Sequence, residues 1–455
     1  MSQSRLPAIT LAPLAACLLA LSAGHSHAAG FALIEQNVSG LGNAYAGAAA
    51  SAEDASTIFF NPAGLMYLSG TQLVLAGHAI RPSAEFSGSA SNALGAPISG
   101  GNGGDAGGTA FVPNFYYSRE LPNDFRFGLG INAPFGLKTE YDADWVGRYQ
   151  AIESEVKTVN INPTIAYKAM PNLSVGVGVS IQYIEATLSQ AVNPLVSCIG
   201  VVRRLNPALD VPTAIATCNG FGITAATSDA TGTVEGDDWS FGYNIGLMYD
   251  LGPASRVGFA YRSKVKQALE GDANFTNVPA FFTGNGLLVP TSVTADVTLP
   301  ESASLSLYHE VNSQWALLAD VTWTRWSRFE ELRIDYASNQ PDSVTPEDWT
   351  NSMRYALGVN YRHNSTWMLR AGVAYDEEPI RNAQLRTPRI PGNDRTWLAF
   401  GANYRHSPNL SFDVGYAHLF VDDTPIDHTD SNGFNLVGEY DSSVDILSAQ
   451  MNWTF

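Results

Sequence analysis

Basic residues are scarce in this chain, where 25 Lys and Arg stand against 43 Asp and Glu and give a formal net charge of −18. Nucleic-acid binding requires basic patches, so this balance argues against nucleic acid as a partner. Long apolar runs are also missing, because no span of about 20 apolar residues follows the N-terminal stretch. The sequence therefore excludes a transmembrane helix in the rest of the chain.

Cysteine is nearly absent as well, with three residues among 455. Cys17 lies in the apolar N-terminal stretch, which leaves Cys198 and Cys218 in a loop-like region. In an exported protein, two such residues most often form a disulfide bond. A zinc pair is the alternative, although no histidine lies near either cysteine.

The N-terminus predicts export from the cytoplasm. Arg5 precedes an apolar run over residues 6–21, and the small residues Ser26 and Ala28 fit a cut after Ala28, so residues 1–28 are predicted to be a signal peptide. A lipoprotein cut before Cys17 is the alternative, since small residues precede it. The apolar sequence continues past Cys17, where a lipoprotein usually turns polar.

The last eleven residues predict a strand with one apolar face. Successive side chains of a strand point to opposite faces. The residues on one face are Leu447, Ala449, Met451, Trp453 and Phe455, and those on the other are Ser448, Gln450, Asn452 and Thr454. A terminal aromatic strand of this kind is typical of a β-barrel in the outer membrane, with lipid outside and water inside.

Similar alternation recurs along the chain and predicts the fold class. Each run covers about 8–11 residues, the length of a tilted membrane strand, and Tyr and Trp cluster at the ends of the runs. The clearest runs are 125–131, 175–183, 241–249, 315–323, 355–361, 367–375 and 412–416. The prediction is an all-β protein, a transmembrane antiparallel β-barrel of about 14 strands that spans residues 71–455. A soluble all-β protein is the alternative.

The connections alternate between tight turns and long loops. Short turns rich in Pro, Asn and Gly occur at 121–124, 170–172, 251–253, 363–365 and 406–409. Long connections cover 82–110, 188–236, 271–291, 335–350, 376–395 and 420–438. Because outer-membrane barrels have short periplasmic turns and long extracellular loops, this asymmetry predicts the outer membrane of a Gram-negative bacterium.

Residues 29–70 differ from the rest, because they lack alternation and are rich in Ala, Gly and Ser. Short helices and turns are expected here, for example around Asn61, Pro62 and Ala63. A barrel of about 14 strands has a lumen that needs filling unless it is an open pore. The segment is therefore predicted to be an N-terminal hatch that plugs the lumen.

Several segments, in their order and spacing, resemble the long-chain fatty acid transporter (FadL) family of outer-membrane proteins, which includes aromatic hydrocarbon uptake channels. The resemblance covers residues 29–455. The matching segments are AGF (29–31), GLGNAYAG (40–47), Asp54, NPA (61–63), NAPFGLKTEY (132–141), WSFGYNIG (239–246), YRSKVK (261–266) and WTRWSRF (323–329).

The resemblance implies a 14-stranded barrel in which a hatch gates the inward passage of hydrophobic compounds. It implies that the third strand is kinked and that the ligand leaves sideways through a hole in the wall. It also implies that Phe31 contacts the ligand and that Arg333 stands where the family has a Lys that pairs with a fatty-acid carboxylate. A second family cation falls near Gln190 and is absent, which leaves room for a neutral aromatic compound or alkane.

Two further groups of candidate binding residues are visible in the sequence. Proline removes a ladder donor and glycine permits a bend, so the stretch with Asn132, Pro134, Phe135 and Gly136 is the candidate lateral opening, with an ordinary loop as the alternative. Two long loops are unusually apolar and predict a first binding groove, or simply two loops packed on each other. Their candidate residues are Leu195, Val196, Phe281, Phe282, Leu287 and Leu288.

The remaining predictions concern chemistry and partners. No recognisable nucleophile motif accompanies the histidines, so an enzyme such as a lipase or protease barrel is the less favoured hypothesis, and a porin or adhesin is a further one. No cofactor or metal is expected, although the acidic stretches 376–378 and 422–423 could hold Ca²⁺. The expected partners are a hydrophobic small molecule, outer-membrane lipid and lipopolysaccharide, and the chain is expected to be a monomer.

Overall fold

A closed 14-stranded antiparallel β-barrel forms the body of the protein, with 56% of the chain in strands, which confirms the predicted fold class. The computed structural model describes residues 30–455. The predicted signal peptide, its cut after Ala28 and the alternative cut at Cys17 lie outside the described residues. None of the helices in residues 30–455 is both long and apolar enough to cross a membrane.

Twenty strand segments build the wall, and six of the barrel strands consist of two consecutive segments. The segments are β1 (Gln72–Ser91), β2 (Ala110–Leu121), β3 (Phe125–Asn132), β4 (Gly136–Glu140), β5 (Glu153–Met170), β6 (Leu173–Val192), β7 (Ala230–Gly252), β8 (Ser255–Arg262), β9 (Val265–Thr276), β10 (Thr291–Leu299), β11 (Ser302–Glu310), β12 (Trp315–Thr324), β13 (Glu331–Tyr336), β14 (Ser343–Pro346), β15 (Ser352–Arg362), β16 (Trp367–Asp376), β17 (Arg395–Ser407), β18 (Leu410–Val421), β19 (Thr424–Thr429) and β20 (Asn435–Thr454).

The helices are short and lie in three places. Those of the hatch are α1 (Val38–Leu41), α2 (Ala48–Ser51), α3 (Thr57–Phe60) and a 3₁₀ helix (Pro62–Tyr67). Those of the long loops are α4 (Pro194–Leu205), α5 (Val211–Gly220) and α6 (Ala280–Gly284), and a further 3₁₀ helix (Trp326–Arg328) lies in the short break between β12 and β13.

The terminal strand closes the barrel, as its alternation predicts. β20 pairs with β1 from Thr454 opposite Gln72 to Asn435 opposite Ser91. Leu447 is 65% exposed on the outer face, whereas Gln450 is buried on the lumen side. One face of this strand therefore meets lipid and the other faces the lumen.

Several strands are longer than their alternating runs, since β1 and β6 have 20 residues and β7 has 23. On the side of the long loops, β7 continues past Trp239 with Asp237 and Glu235, and Glu235 pairs with Asp272 of β9. Above the membrane both faces of a strand meet water, so the alternation ends while the hydrogen-bonded ladder continues. The connections are shorter in consequence, for example 92–109 rather than 82–110.

The hatch packs inside the barrel against glycines of the wall. A Cβ atom added to Gly176 of β6 would lie 2.4 Å from the carbonyl carbon of Pro62, and one added to Gly372 of β16 would lie 2.1 Å from the oxygen of Asn43. Backbone can approach backbone this closely only where the side chain is missing. The lumen-facing glycines therefore fix how deeply the hatch is seated.

Candidate functional site

The third barrel strand is interrupted between β3 and β4. Asn132 ends β3 opposite Asn160, and Gly136 starts β4 opposite Lys157. Asn132 and Gly136 are four residues apart, whereas their partners Asn160 and Lys157 on β5 are three residues apart. The third strand therefore has one extra residue here, as in a β-bulge. Asn132 faces the lumen before the interruption and Thr139 faces it afterwards, because the extra residue reverses the alternation.

On the side of β4 that faces away from β5, no strand in residues 30–455 is paired with it. The ladder between β1 and β2 stops at Ile80 opposite Ala110, and β4 pairs with β5 alone. Above this point the loop that contains Ala106 spans the space through single hydrogen bonds to Ala84 and Glu140, both 3.0 Å. A gap in the wall therefore lies between β2, β4 and β5.

The first residues of the hatch pair with the edge of this gap. The amide of Leu33 donates to the oxygen of Pro134 at 2.9 Å, and the amide of Gly136 donates to the oxygen of Phe31 at 3.0 Å. Ala32 and Phe135 form an isolated antiparallel bridge between these two bonds. We call residues 30–36 the N-terminal arm, which the structure thus joins to the predicted lateral opening.

A cavity of about 840 Å³ runs from the arm to the gap. Its inner wall includes Phe31, Phe60 and Pro62, and the predicted opening residues Asn132, Pro134, Phe135 and Gly136 also line it. At the gap the lining reaches residues on the lipid-facing side of the barrel, such as Phe111, which is 71% exposed, and Val159, which is 43% exposed. We call this space the main cavity; it connects the hatch with the outer surface of the wall.

Aromatic rings surround Phe31 on the side away from the gap. The ring centroid of Phe31 lies 4.9 Å from that of Trp326 and 6.0 Å from those of Phe329 and Trp349. Gly30 has φ +57°, and a Cβ atom there would lie 2.6 Å from the Trp349 ring, so only glycine fits at this position. The start of the arm is therefore buried in an aromatic cluster.

The main cavity has one polar region, formed by the wall and the arm. Arg354, Asp376 and Arg395 are direct neighbours across β15, β16 and β17, and all three line the cavity. Glu35 of the arm also lines it and is buried. Burial raises the pKa of the Glu35 carboxyl to about 7, and the charges of Arg395 and Arg354 offset only part of the rise.

A second cavity, of about 530 Å³, lies on the side of the tight turns, which face the periplasm in such barrels. It is lined by charged side chains, among them Glu53, Arg256, Arg362, Arg370 and Asp413. The main cavity and this lower cavity share no lining residues. The body of the hatch lies between them.

The body of the hatch is bound to the wall by buried polar contacts. The two terminal nitrogens of Arg370 donate to Glu53 of the hatch and to Asp413 of β18, both at 2.6 Å. Asn61 donates to the oxygens of Ala49 and Leu247 at 2.6 and 3.0 Å. Such charge-assisted and buried hydrogen bonds hold this part of the hatch in place.

The apolar loop residues predicted from the sequence come together, but outside the main cavity. Helices α4, α5 and α6 form one cluster in which the Phe221 and Phe281 rings stack at 4.8 Å. The predicted residues in or against this cluster are Leu195, Phe281, Phe282, Leu287 and Leu288, while Val196 packs against Tyr149, Ala191 and Phe434. The sulfur atoms of Cys198 and Cys218 are 2.08 Å apart, as in a disulfide bond, and link α4 to α5.

Removing this disulfide by the double substitution Cys198→Ser and Cys218→Ser is expected to destabilise the α4–α5 hairpin by about 3 kcal/mol, because cross-linking a loop of this length restricts the unfolded chain. Hydrogen exchange of the hairpin amides should become about 100-fold faster, whereas exchange in the strands should not change. Equal exchange rates in the variant and the wild type would contradict the expectation.

Arg333, the predicted partner of a ligand carboxylate, does not line the main cavity. It lies on β13, is exposed, and its guanidinium forms ion pairs with Glu331 at 2.8 Å and Asp342 at 3.7 Å. Gln190, which stands near the second cation position of the family, accepts a hydrogen bond from Arg389 at 2.9 Å. The cations of the polar region are therefore Arg354 and Arg395, neither of which the sequence had singled out as a binding residue.

Two serine–histidine pairs bear on the hypothesis of an enzyme. Ser255 and His309 are 2.8 Å apart in the wall, and so are Ser448 and His78. No carboxylate hydrogen-bonds either histidine in the described part of the chain, so neither pair forms a triad. Within residues 30–455, no group of three or more His, Cys, Asp or Glu residues could hold a metal ion.

Comparison with known proteins agrees with this architecture. Residues 19–455 match the model of a family described as outer membrane protein transport protein (OMPP1/FadL/TodX). The chain is 32% identical over 427 residues to outer membrane protein P1 of Haemophilus influenzae, which covers 89% of each chain. It is 30% identical over 414 residues to the long-chain fatty acid transport protein of Escherichia coli O157:H7, covering 89% of this chain and 90% of that one.

A solved structure shows the same fold. The crystal structure of a Pseudomonas aeruginosa FadL homologue superposes with a TM-score of 0.83 at 27% identity, covering 94% of this chain and 100% of the homologue. The family match extends over nearly the whole sequence, and the structure is a closed 14-stranded barrel with short helices near its N-terminus. The chain therefore belongs to the FadL/TodX family of outer-membrane transport proteins, and its place is the outer membrane of a Gram-negative bacterium.

Proposed function

We propose that this protein takes up hydrophobic compounds, such as long-chain fatty acids, across the outer membrane, and that they leave sideways through the wall. The observation that carries the proposal is the main cavity, which extends from Phe31 of the arm to the lipid-facing side chains of Phe111 and Val159. A cavity of this volume accommodates a lipid-sized ligand.

Energetics favour the sideways route over a passage into the periplasm. A ligand that moves from the apolar cavity into the charged lower cavity loses about 0.8 kcal/mol for each methylene transferred to water. A ligand that leaves through the gap beside Pro134 passes from apolar protein to acyl chains. The polar lining of the lower cavity, with Arg256 and Arg370, thus supports lateral exit.

The arm is the part of the hatch that would move. It is joined to the gap by two backbone bonds between residues 31–33 and 134–136 and by a bond from Gln36 to the oxygen of Ala133 at 2.8 Å. A ligand in the main cavity competes with Phe31 for the aromatic cluster and would shift the arm, which opens the way to the gap. The body of the hatch, held by Arg370 and Asn61, would stay in place.

A neutral aromatic hydrocarbon or alkane is the second candidate ligand, carried by the same route. The cluster of Trp326, Phe329 and Trp349 around Phe31 favours it, because a benzene ring would replace the ring of Phe31 with similar contacts. The apolar cluster of α4, α5 and α6 would collect either kind of ligand first. We further propose that the protein works as a monomer in contact with lipid and lipopolysaccharide.

A disulfide between the arm and the wall tests the movement. Ala32 and Phe135 form a pair between two ladder bonds, where Cα atoms of antiparallel strands are about 4.5 Å apart, within reach of a disulfide. The double variant Ala32→Cys and Phe135→Cys should lose uptake of labelled dodecanoate and toluene when oxidised and regain it after mild reduction. Uptake is measured in a host that lacks its own transporter.

The single variant Phe135→Cys and the reductant-treated wild type are the controls, the latter because reduction can also open the bond between Cys198 and Cys218. Full uptake by the oxidised double variant, with cross-linking verified by mass spectrometry, would reject a moving arm. Absence of uptake of both compounds by the wild type would reject the transport function itself.

A further inference from the structure

Arg354, on the wall of the main cavity, carries two hydrogen-bond donors that have no acceptor within the range that the structure describes. Arg354 is buried, its Nη2 donates to the oxygen of Ala44 at 2.9 Å, and its guanidinium lies 5.0 Å from the centre of the Trp397 ring. Its Nε and Nη1 have no hydrogen-bond partner. A buried charged donor without an acceptor is costly, so such a group indicates that an acceptor is supplied from elsewhere.

The carboxylates nearby do not supply it. Asp376 stands directly opposite Arg354 on β16, but no ion pair joins them among the described residues. Asp320 accepts hydrogen bonds from the hydroxyls of Ser306 and Thr322. The acidic side chains therefore surround Arg354 without saturating it.

The charged groups around Glu35 decide whether an anionic ligand can bind in this part of the main cavity. The charges that act on Glu35 are those of Arg395, Arg354 and Asp376, two positive and one negative, so this region accommodates one further negative charge. Burial nevertheless raises the pKa of Glu35 to about 7, because the cost of desolvating its carboxylate outweighs the attraction of the two arginines. The phenols of Tyr45 and Tyr116 are also buried near the arm, where Tyr116 donates to the oxygen of Gln36 at 2.9 Å and Tyr45 donates to that of Asn37 at 3.1 Å.

We propose that Arg354 and Arg395 form a subsite for the anionic head group of an amphipathic ligand, and that Glu35 of the arm competes with this head group. The inference rests on the proposed uptake function and specifies its substrate as an anionic amphiphile such as a long-chain carboxylate. A ligand carboxylate placed against Arg354 accepts a charge-assisted hydrogen bond from one of its two free donors, Nε or Nη1, which lie on different edges of the guanidinium.

The competition couples ligand binding to the arm. Beside two arginines and Asp376 there is room for one further negative charge, which belongs either to the head group or to Glu35 but not to both. When the head group binds, Glu35 takes up a proton or leaves the cavity together with the arm. Since Glu35 is two residues from Leu33, which pairs with Pro134, its withdrawal also strains the pairing at the gap.

Equilibrium binding of dodecanoate and dodecanol to the purified protein in a non-ionic detergent tests this proposal at pH 6 and pH 8. Dodecanoate stays ionised at both values, because an ordinary carboxyl pKa lies below 5. Glu35 is mostly neutral at pH 6 and mostly ionised at pH 8, so the wild type should bind dodecanoate more weakly at pH 8. Dodecanol binding should be the same at both.

Three variants give the expected pattern. Glu35→Gln should bind dodecanoate at pH 8 as tightly as the wild type does at pH 6. Arg354→Gln should weaken dodecanoate binding about tenfold or more and dodecanol binding much less, because the carboxylate loses a charge-assisted hydrogen bond that the neutral hydroxyl does not form. Arg333→Gln is the matched control, an exposed arginine outside the cavity, and should change neither affinity.

The outcomes separate this proposal from the uptake function. If both compounds bind, and Arg354→Gln and Glu35→Gln change them equally or not at all, the head-group subsite is rejected and the uptake channel stands. If Arg354→Gln fails to fold, two other measurements test the head-group subsite. Arg395→Gln should weaken the binding of dodecanoate more than that of dodecanol, and Glu35→Gln should remove the pH dependence of dodecanoate binding. If neither compound binds to the wild type, both proposals fail.

Discussion

Deletion of Pro134 alone is expected to reduce uptake of dodecanoate and toluene about tenfold or more, because it removes the extra residue that holds the wall open. Without it, Ala133 falls opposite Val159 and Phe135 opposite Thr158, so β3 and β4 would join in one register along β5. A continuous strand closes the path from the main cavity to lipid. Uptake is measured in whole cells at equal surface expression.

Two substitutions serve as controls for the deletion. Pro134→Ala keeps the number of residues and therefore the bulge, so uptake should stay near the wild-type level. Pro163→Ala removes a proline from the neighbouring strand, where Pro163 is paired with Leu129, without any change of register. Full uptake by the deletion variant, with a folded barrel at the surface, would show that ligands do not leave through this gap.

The wall of the barrel was predictable from the sequence because its signal is local. Lipid on one side and a filled lumen on the other impose alternation on every membrane-crossing segment, and β20 shows it down to its final aromatic residues. The same signal fails above the membrane, where the extensions of β1, β6 and β7 meet water on both faces. The predicted loop bounds were too wide for this reason.

The site was only partly predictable because it depends on register between strands. Proline and glycine in residues 132–136 indicated a break in the third strand, and the family resemblance indicated Phe31. The structure brings these together with the main cavity. Arg354 and Asp376 lie at the ends of two separate alternating runs, and only the pairing of β15 with β16 places them side by side.

The choice of Arg333 as the carboxylate partner came from resemblance alone and has no local physical signal. Glu331 lies two residues from Arg333, so an ion pair along one strand face was equally compatible with the sequence, and this pair is present. A cation that is already paired and exposed contributes little to ligand binding. An arginine with free donors in a cavity is the better candidate.

Replacing Arg370 by Gln is expected to turn the closed barrel into a leaking one. Arg370 is the buried cation that joins Glu53 of the hatch to Asp413 of the wall, and its loss leaves the Asp413 carboxylate buried without its counter-ion. Removal of one partner from a buried ion pair costs about 3–5 kcal/mol, which raises the population of a detached hatch by 100-fold or more. Planar bilayers should therefore show steady currents that the wild type lacks.

Arg362→Gln is the matched control for this effect. Arg362 also lines the lower cavity, but its contact with Glu310 at 3.3 Å is exposed and belongs to the wall alone. Exposed ion pairs contribute about 0–1 kcal/mol, so this variant should remain closed. Equal conductance of both variants would mean that the buried pair does not anchor the hatch. Large steady currents through the wild type would mean that the hatch does not plug the lumen, as in an open porin.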